Sequence, residues 1–141
     1  MIQQLYPQTN HSFRYELNKD MHLAAAHFID HQSAGVCQEM HGHTYFINMT
    51  IAGNDLDEIG FLVDFKQLKS LIHSRFDHTV MNNHPEFKGV FPTTERIAEK
   101  IWGIVQAHLD TLAHSPRCLQ VFVRETPTSY VVYRPLAEDF R

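Results

Sequence analysis

The stretch from His41 to Ala52 constrains the fold of this chain more than any other. Its apolar residues recur at every second position, which is the period of a strand with one buried face. These apolar residues are Tyr45, Ile47, Met49 and Ile51. His41 and His43 have the same parity, so their imidazoles lie on the apolar side of the strand. Gly42 between them lacks a side chain and is expected to let another stretch of backbone approach closely.

Two imidazoles on one face form a chelating pair for zinc, and a zinc site then needs a third ligand. The stretch from Ser12 to Ile29 also alternates as a strand, and its last histidine is His27. A loop over Asp30 to Met40 would return the chain beside it, at the strand spacing of about 4.7–4.9 Å. His27 would then lie near His41 and His43, and three histidines with an open fourth position are typical of catalytic zinc. The simpler interpretation of each histidine alone is a polar residue at a strand end.

Cys37 lies four residues before His41, and two roles are open to it. As a fourth ligand it would close the site and make it structural; otherwise it is a base or nucleophile beside the metal. A nearby zinc ion or protonated histidine would favour its thiolate form. Cys118, at the start of a later strand, is expected to be an inert core or edge thiol.

Two helices are predicted after these strands. Asp64 is the N-cap of the first, whose apolar residues recur at helical spacing as far as Phe76. A loop follows over residues 79–91, and Thr93 is the expected cap of the second helix. The apolar stripe of the second helix continues towards Pro116.

Two more strands complete the pattern. One begins at Leu119, and the other runs from Ser129 to Leu136, with a turn at residues 126–128. The order strand, strand, helix, helix, strand, strand predicts an α+β fold, with a four-stranded antiparallel sheet and two helices on one face. Phe46 and Phe122 lie on the opposite face, which indicates that an oligomer covers it.

Composition limits the class of partner. The chain has 141 residues, 43% of them hydrophobic, which predicts one domain over residues 1–141. The net charge of −4 provides no basic surface for nucleic acid. No apolar run reaches the ~20 residues that cross a bilayer, and no signal peptide is evident. We therefore expect a cytoplasmic protein with no membrane partner, in which Cys37 and Cys118 are reduced.

Eleven histidines are many for this length and indicate metal or acid–base chemistry.

Three further residues have both a chemical and a simpler interpretation. Asp77 and His78 follow the first helix, where an adjacent acid and imidazole can transfer protons; in the simpler interpretation, His78 only contacts the last helical carbonyls. Glu125 ends the third strand, and its carboxylate can pair with the two adjacent N–H groups of a 2-aminopyrimidinone. It can equally pair with Arg124 on the surface. Alone, these residues favour the simpler interpretations.

Together these motifs resemble the 6-pyruvoyl-tetrahydropterin synthase / 6-carboxytetrahydropterin synthase family over nearly the whole chain. The segments that carry the resemblance are residues 23–27, the Cys37-x3-His41-Gly42-His43 block, residues 63–65, Asp77-His78, residues 92–95 and Glu125-Thr126. The cysteine–histidine block is the most specific of them. Leu23 stands where the family usually has Phe, and Arg96 where Asn often follows the second helix motif.

The resemblance implies the tunnelling fold (T-fold), in which ββααββ subunits form rings around a continuous antiparallel barrel. It also implies a homo-oligomer, hexamer or tetramer, with active sites between subunits. The residue roles it implies are Zn²⁺ ligation by His27, His41 and His43, proton abstraction by Cys37, acid–base support from Asp77 and His78, and anchoring of the pterin ring by Glu125.

The cysteine-containing form of the motif is similar to that of bacterial lyases of queuosine biosynthesis. The implied reaction converts 7,8-dihydroneopterin triphosphate into 6-carboxy-5,6,7,8-tetrahydropterin, acetaldehyde and triphosphate. The alternative within the family is triphosphate elimination without side-chain cleavage, which gives a 6-pyruvoyl product. Outside the family, the residues are also compatible with a zinc hydrolase that uses metal-bound water, or with a non-catalytic module that binds pterin or stores zinc.

Overall fold

A computed structural model describes residues 6–141 of the chain. Its strands and helices are β1 (Tyr15–His27), β2 (His41–Gly53), α1 (Phe65–Phe76), β3 (Thr79–Val80), α2 (Thr94–Leu109), β4 (Arg117–Thr126) and β5 (Ser129–Tyr133). Residues 6–11, part of a predicted irregular arm over residues 1–11, contain no helix or strand, and residues 1–5 lie outside the described part. Within that part, no helix is long and apolar enough to span a membrane.

Strands β1 and β2 form one continuous antiparallel ladder, with Tyr15 opposite Gly53 at one end and His27 opposite His41 at the other. Because no bulge interrupts this ladder, the alternation read from the sequence holds along its whole length. Leu23 faces Tyr45 across the pair, and both side chains are fully buried. The three consecutive alanines at residues 24–26 are therefore strand, in agreement with the strand predicted between Ser12 and Ile29.

The sheet order is β3-β1-β2-β4-β5, so the sheet has five strands rather than the four predicted. The additional strand, β3, has two residues and pairs in parallel with Ala25 and Ala26 of β1. It forms because His78 adopts a left-handed backbone, with φ of 59°, and donates its N–H to the Ala24 carbonyl at 2.6 Å. A two-residue bridge carries no alternation, so the sequence indicated only a loop there.

Both helices begin at the predicted caps. The Asp64 side chain accepts a hydrogen bond from the Lys66 N–H, and Thr93 accepts one from the Arg96 N–H. Helix α1 ends at Phe76 as predicted, whereas α2 ends at Leu109, earlier than the apolar stripe indicated. The residues that the helices bury against the apolar face of the sheet include Leu68, Ile72, Phe76, Ile97, Ile101, Val105 and Leu109.

The opposite face of the sheet is partly covered by the chain itself. The ring of Tyr6 packs edge-on against Phe122, with centroids 5.1 Å apart, and Phe122 is only 2% exposed. Gln120 fixes this segment by donating a hydrogen bond to the Pro7 carbonyl at 2.8 Å. The burial of Phe122 therefore does not require an oligomer, which corrects that part of the sequence argument.

Candidate metal centre

The end of β1, the start of β2 and the end of β4 meet at one corner of the sheet. His27 lies directly opposite His41, and His43 follows on the same face of β2. Glu125 reaches this corner from β4, which pairs with β2 beginning at Phe46. One candidate ligand atom from each of these four residues lies within 4.8 Å of all the others. We call His27, His41, His43 and Glu125 the histidine corner.

The two facing histidines are held in a form suited to a metal ion. Nδ1 of His27 lies 2.8 Å from the Pro92 carbonyl oxygen, and Nδ1 of His41 lies 2.8 Å from that of Glu39. Because a carbonyl only accepts, each Nδ1 carries the hydrogen, and each neutral ring presents a lone pair at Nε2. These Nε2 atoms are 3.0 Å apart, so their lone pairs repel unless a proton or a metal ion lies between them. Metal-binding histidines commonly hold their second nitrogen on a carbonyl in this way.

The remaining two groups of the histidine corner add to this argument. Nε2 of His43 is buried and has no hydrogen-bond partner among the described residues. Oε1 of Glu125 lies 3.3 Å from that nitrogen and 3.3 Å from Nε2 of His27, within ion-pair distance. Three imidazole nitrogens and a carboxylate oxygen form a donor set that suits a divalent transition-metal ion. The residues present therefore fit a metal ion.

The buried environment of the histidine corner disfavours protonation of its imidazoles and so leaves them available to a metal ion. Burial lowers the pKa of His27 and of His43 below the ordinary 6.5, because desolvation penalises the charged ring. The hydrogen bond of His27 to Pro92 and the negative charge of Glu125 act in the opposite direction but are smaller effects. Both rings are thus neutral near pH 7, which is the form that binds a metal ion.

We expect the metal-free protein to lose stability as the pH falls below about 6.5. The unfolded chain protonates its histidines at about 6.5, whereas folded His27 and His43 take up protons only at lower pH. The unfolded state then binds more protons, so the free energy of unfolding falls progressively from about 6.5 down to the lowered pKa values. Urea unfolding of chelator-treated protein at several pH values measures this. A His43→Gln variant should give a shallower dependence, and an equal slope in both proteins would contradict the assignment.

Cys37 lies near the histidine corner in the chain but is not part of it. It belongs to a short 3₁₀ turn, Gln32–Gln38, between β1 and β2, and its thiol is free and half-buried. Among the described residues, the ligand atoms that group around the three histidines include Glu125 and not Cys37. Cys118, in contrast, is fully buried, and burial raises the pKa of its thiol to about 12, as expected of an inert core cysteine.

Asp77 and His78 lie beside each other at the end of α1. Oδ1 of Asp77 accepts the Ala24 N–H at 3.0 Å, which fixes the carboxylate on β1. Its Oδ2 lies 3.4 Å from Nε2 of His78 and 3.3 Å from Nε2 of His73. The His78 side chain is 82% exposed, so this acid–imidazole pair opens to the surface.

An open groove of about 460 Å³ has both His43 of the histidine corner and His78 in its lining. Gly42 also lines this groove. A Cβ atom there would meet only the Ala25 carbonyl oxygen, at 3.9 Å, which is an ordinary contact. The predicted close approach of backbone at Gly42 is therefore wrong within the described chain, and the missing side chain instead leaves the groove open.

Several contributors to this region were missed from the sequence, among them His73 and the backbone carbonyls that orient His27 and His41. His73 lies four residues before Asp77 on the same helical face, and this spacing was the available signal. The Pro92 carbonyl that orients His27 gave no signal, because a backbone oxygen can be assigned a partner only in the folded chain.

The fold and the histidine corner together define an α+β protein with a group of histidines from neighbouring strands that could hold a metal ion. The family model of 6-pyruvoyl tetrahydropterin synthase matches residues 16–136. The chain belongs to this family.

Two relatives support this membership, and one solved structure shows the same fold. It is 56% identical over 139 residues to 6-carboxy-5,6,7,8-tetrahydropterin synthase of Bacillus subtilis (strain 168), covering 96% of this chain and 95% of the relative. It is 30% identical over 105 residues to 6-pyruvoyl tetrahydrobiopterin synthase of Dictyostelium discoideum, covering 71% and 74%. The structure of Caenorhabditis elegans 6-pyruvoyl tetrahydropterin synthase superposes with a TM-score of 0.69 at 20% identity, over 86% of this chain and 96% of that one. The predicted tunnelling fold is thereby confirmed.

Proposed function

We propose that this chain is a 6-carboxy-5,6,7,8-tetrahydropterin synthase, a lyase of queuosine biosynthesis. Its substrates are 7,8-dihydroneopterin triphosphate and one water molecule, and its products are 6-carboxy-5,6,7,8-tetrahydropterin, acetaldehyde and triphosphate. The observation that carries the proposal is the 56% identity to the Bacillus subtilis synthase over nearly the full length of both chains. The histidine corner supports it, because its donor set suits metal-assisted chemistry.

The metal we propose is Zn²⁺, held by His27, His41 and His43. The three converging imidazoles support this choice, since zinc takes neutral imidazole nitrogen in a tetrahedral arrangement. When bound, zinc supplies a Lewis acid that polarises the hydroxyl oxygens of the substrate side chain.

The remaining roles belong to side chains of the protein. Cys37, as thiolate, removes a proton from the side-chain carbon that lies next to a polarised oxygen. Asp77 orients His78, which exchanges protons with the reacting groups. The Glu125 carboxylate accepts hydrogen bonds from the 2-amino group and the adjacent ring N–H of the pterin. The exposure of His78 and the half-buried thiol of Cys37 leave both groups accessible to a ligand.

We further propose that residues 1–141 act as one tunnelling-fold domain, in the cytoplasm, within a ring-shaped homo-oligomer, hexamer or tetramer. Active sites between subunits would explain why the Asp77–His78 pair opens to the surface instead of closing onto the histidine corner. A dissociated subunit is then inactive, and activity follows the assembled fraction in a dilution series.

The alternative within the family is a 6-pyruvoyl-tetrahydropterin synthase, which the similarity to the Dictyostelium discoideum protein favours. Incubation of the zinc-loaded protein with 7,8-dihydroneopterin triphosphate separates the two. Acetaldehyde and 6-carboxy product in equal amounts support the lyase. Triphosphate with a 6-pyruvoyl product supports the alternative, and absence of triphosphate release contradicts both.

A further inference from the structure

Glu125 is the member of the histidine corner for which two roles compete, pterin binding and metal binding. The proposed function assigns its carboxylate to the pterin ring. In the structure the same carboxylate faces the histidines, with Oε1 equally distant, at 3.3 Å, from Nε2 of His27 and of His43. All candidate ligand atoms of the corner, Glu125 included, fall within 4.8 Å of one another, which is close enough for them to converge on one metal ion.

The backbone around Glu125 explains how its side chain comes to point there. The pairing of β4 with β5 shifts register between Arg124 and Thr126, so Glu125 lies in an irregularity of the ladder. Such bulges redirect a side chain and are frequent next to active sites. The side chain remains 26% exposed, so it has room to leave the corner.

A cation would stabilise the arrangement of groups around the Glu125 carboxylate. An ionised carboxylate has no hydrogen to donate, and Nε2 of His27 offers a lone pair because its Nδ1–H is bound to Pro92. His43 presents a buried nitrogen without a hydrogen-bond partner in the described chain. A divalent ion held by these residues would remove the repulsion, and three nitrogens and one oxygen are a donor set that zinc accepts.

We infer that Glu125 is the fourth metal ligand while no substrate is bound, and that it leaves the metal to hold the pterin ring when substrate arrives. The inference rests on the proposed function, because it requires a pterin to compete for the carboxylate. Pairing with two adjacent N–H groups engages both carboxylate oxygens, so the pterin ring and the metal compete for Glu125. Ring binding thereby converts a closed site, typical of structural metals, into one with an open position for the substrate oxygens.

The first test replaces zinc with Co²⁺, whose ligand-field absorption reports the number and kind of its ligands. Glu125→Gln is expected to weaken Co²⁺ binding by at least about 10–100-fold, which is the typical loss when a residue that hydrogen-bonds to a metal ligand is replaced. It is also expected to change the absorption spectrum of the bound Co²⁺. Glu16→Gln is the matched control, because Glu16 also pairs with a histidine, His11 at 2.8 Å, but lies at the other end of β1. It should bind Co²⁺ as the wild type does. Wild-type affinity and spectrum in folded Glu125→Gln would overturn the inference.

The second test titrates the Co²⁺ protein with pterin that lacks a side chain and so brings no hydroxyl ligand to the metal. The wild-type spectrum should shift towards that of Glu125→Gln, and the variant's spectrum should not change. Should the variant fail to fold, as judged by circular dichroism, the wild-type titration decides alone, and an unchanged spectrum at saturating pterin refutes the exchange. Absence of triphosphate release in the turnover assay refutes the proposed function instead, whereas normal turnover with an unchanged spectrum refutes only the role of Glu125.

Discussion

Replacing Cys37 by alanine is expected to reduce turnover of 7,8-dihydroneopterin triphosphate to near zero while leaving the metal bound. The proposed base is lost, and general base catalysis typically contributes about 10²–10⁴-fold to the rate. Metal binding should persist, because the ligand atoms of the histidine corner come from other residues. Triphosphate release and zinc content, measured on the same preparation, check both parts.

Cys118→Ala is the matched control for this substitution. It also removes one thiol, but from a fully buried position, and it should keep its turnover. Full activity of Cys37→Ala would show that the thiol is not the base. Loss of zinc from that variant would return Cys37 to the role of metal ligand, the alternative that the sequence left open.

The second large effect is expected from His41→Ala, which should abolish stable metal binding and turnover together. His41 provides one of the converging nitrogens. Losing a direct ligand should weaken metal binding by more than the roughly 10–100-fold seen when a residue that only hydrogen-bonds to a ligand is replaced. His41 is only half-buried at the start of β2, so the variant should still fold. His27 is 3% exposed, and its removal would also leave a cavity.

Thermal and urea unfolding with and without added zinc measure the effect of His41→Ala. A metal at roughly 100 times its Kd stabilises the wild type by about 2.7 kcal/mol, and this gain should disappear in the variant. His22→Ala is the control, since His22 is an exposed residue of the same strand pair on the opposite sheet face. Retention of stoichiometric zinc by His41→Ala would show that the metal lies elsewhere.

The features that could be predicted from the sequence are those set by local backbone geometry. Side chains alternate along a strand, so the shared face of His41 and His43 follows from their spacing alone. The same rule, with one short return loop, places His27 opposite them. The helix caps Asp64 and Thr93 could also be predicted, because a capping side chain accepts hydrogen bonds from N–H groups within its own turn.

The features that could not be predicted depend on contacts between distant segments. Strand β3 exists because His78 donates to the Ala24 carbonyl, and Phe122 is covered because Tyr6 packs on it. Neither contact leaves a periodic pattern in the sequence. The end of α2 at Leu109 was missed for a similar reason, since apolar residues beyond it continue the stripe without continuing the helix.

The sequence by itself determined that three histidines share one sheet face, and the family resemblance suggested that Glu125 binds the pterin ring. Only the tertiary structure decided that Glu125 stands among those histidines. Its position depends on the pairing of β4 with β2, and its direction depends on the shift in register beside β5. Strand pairing and bulges are settled by packing of the whole sheet, so a single strand's residues do not reveal which side chains will surround a metal.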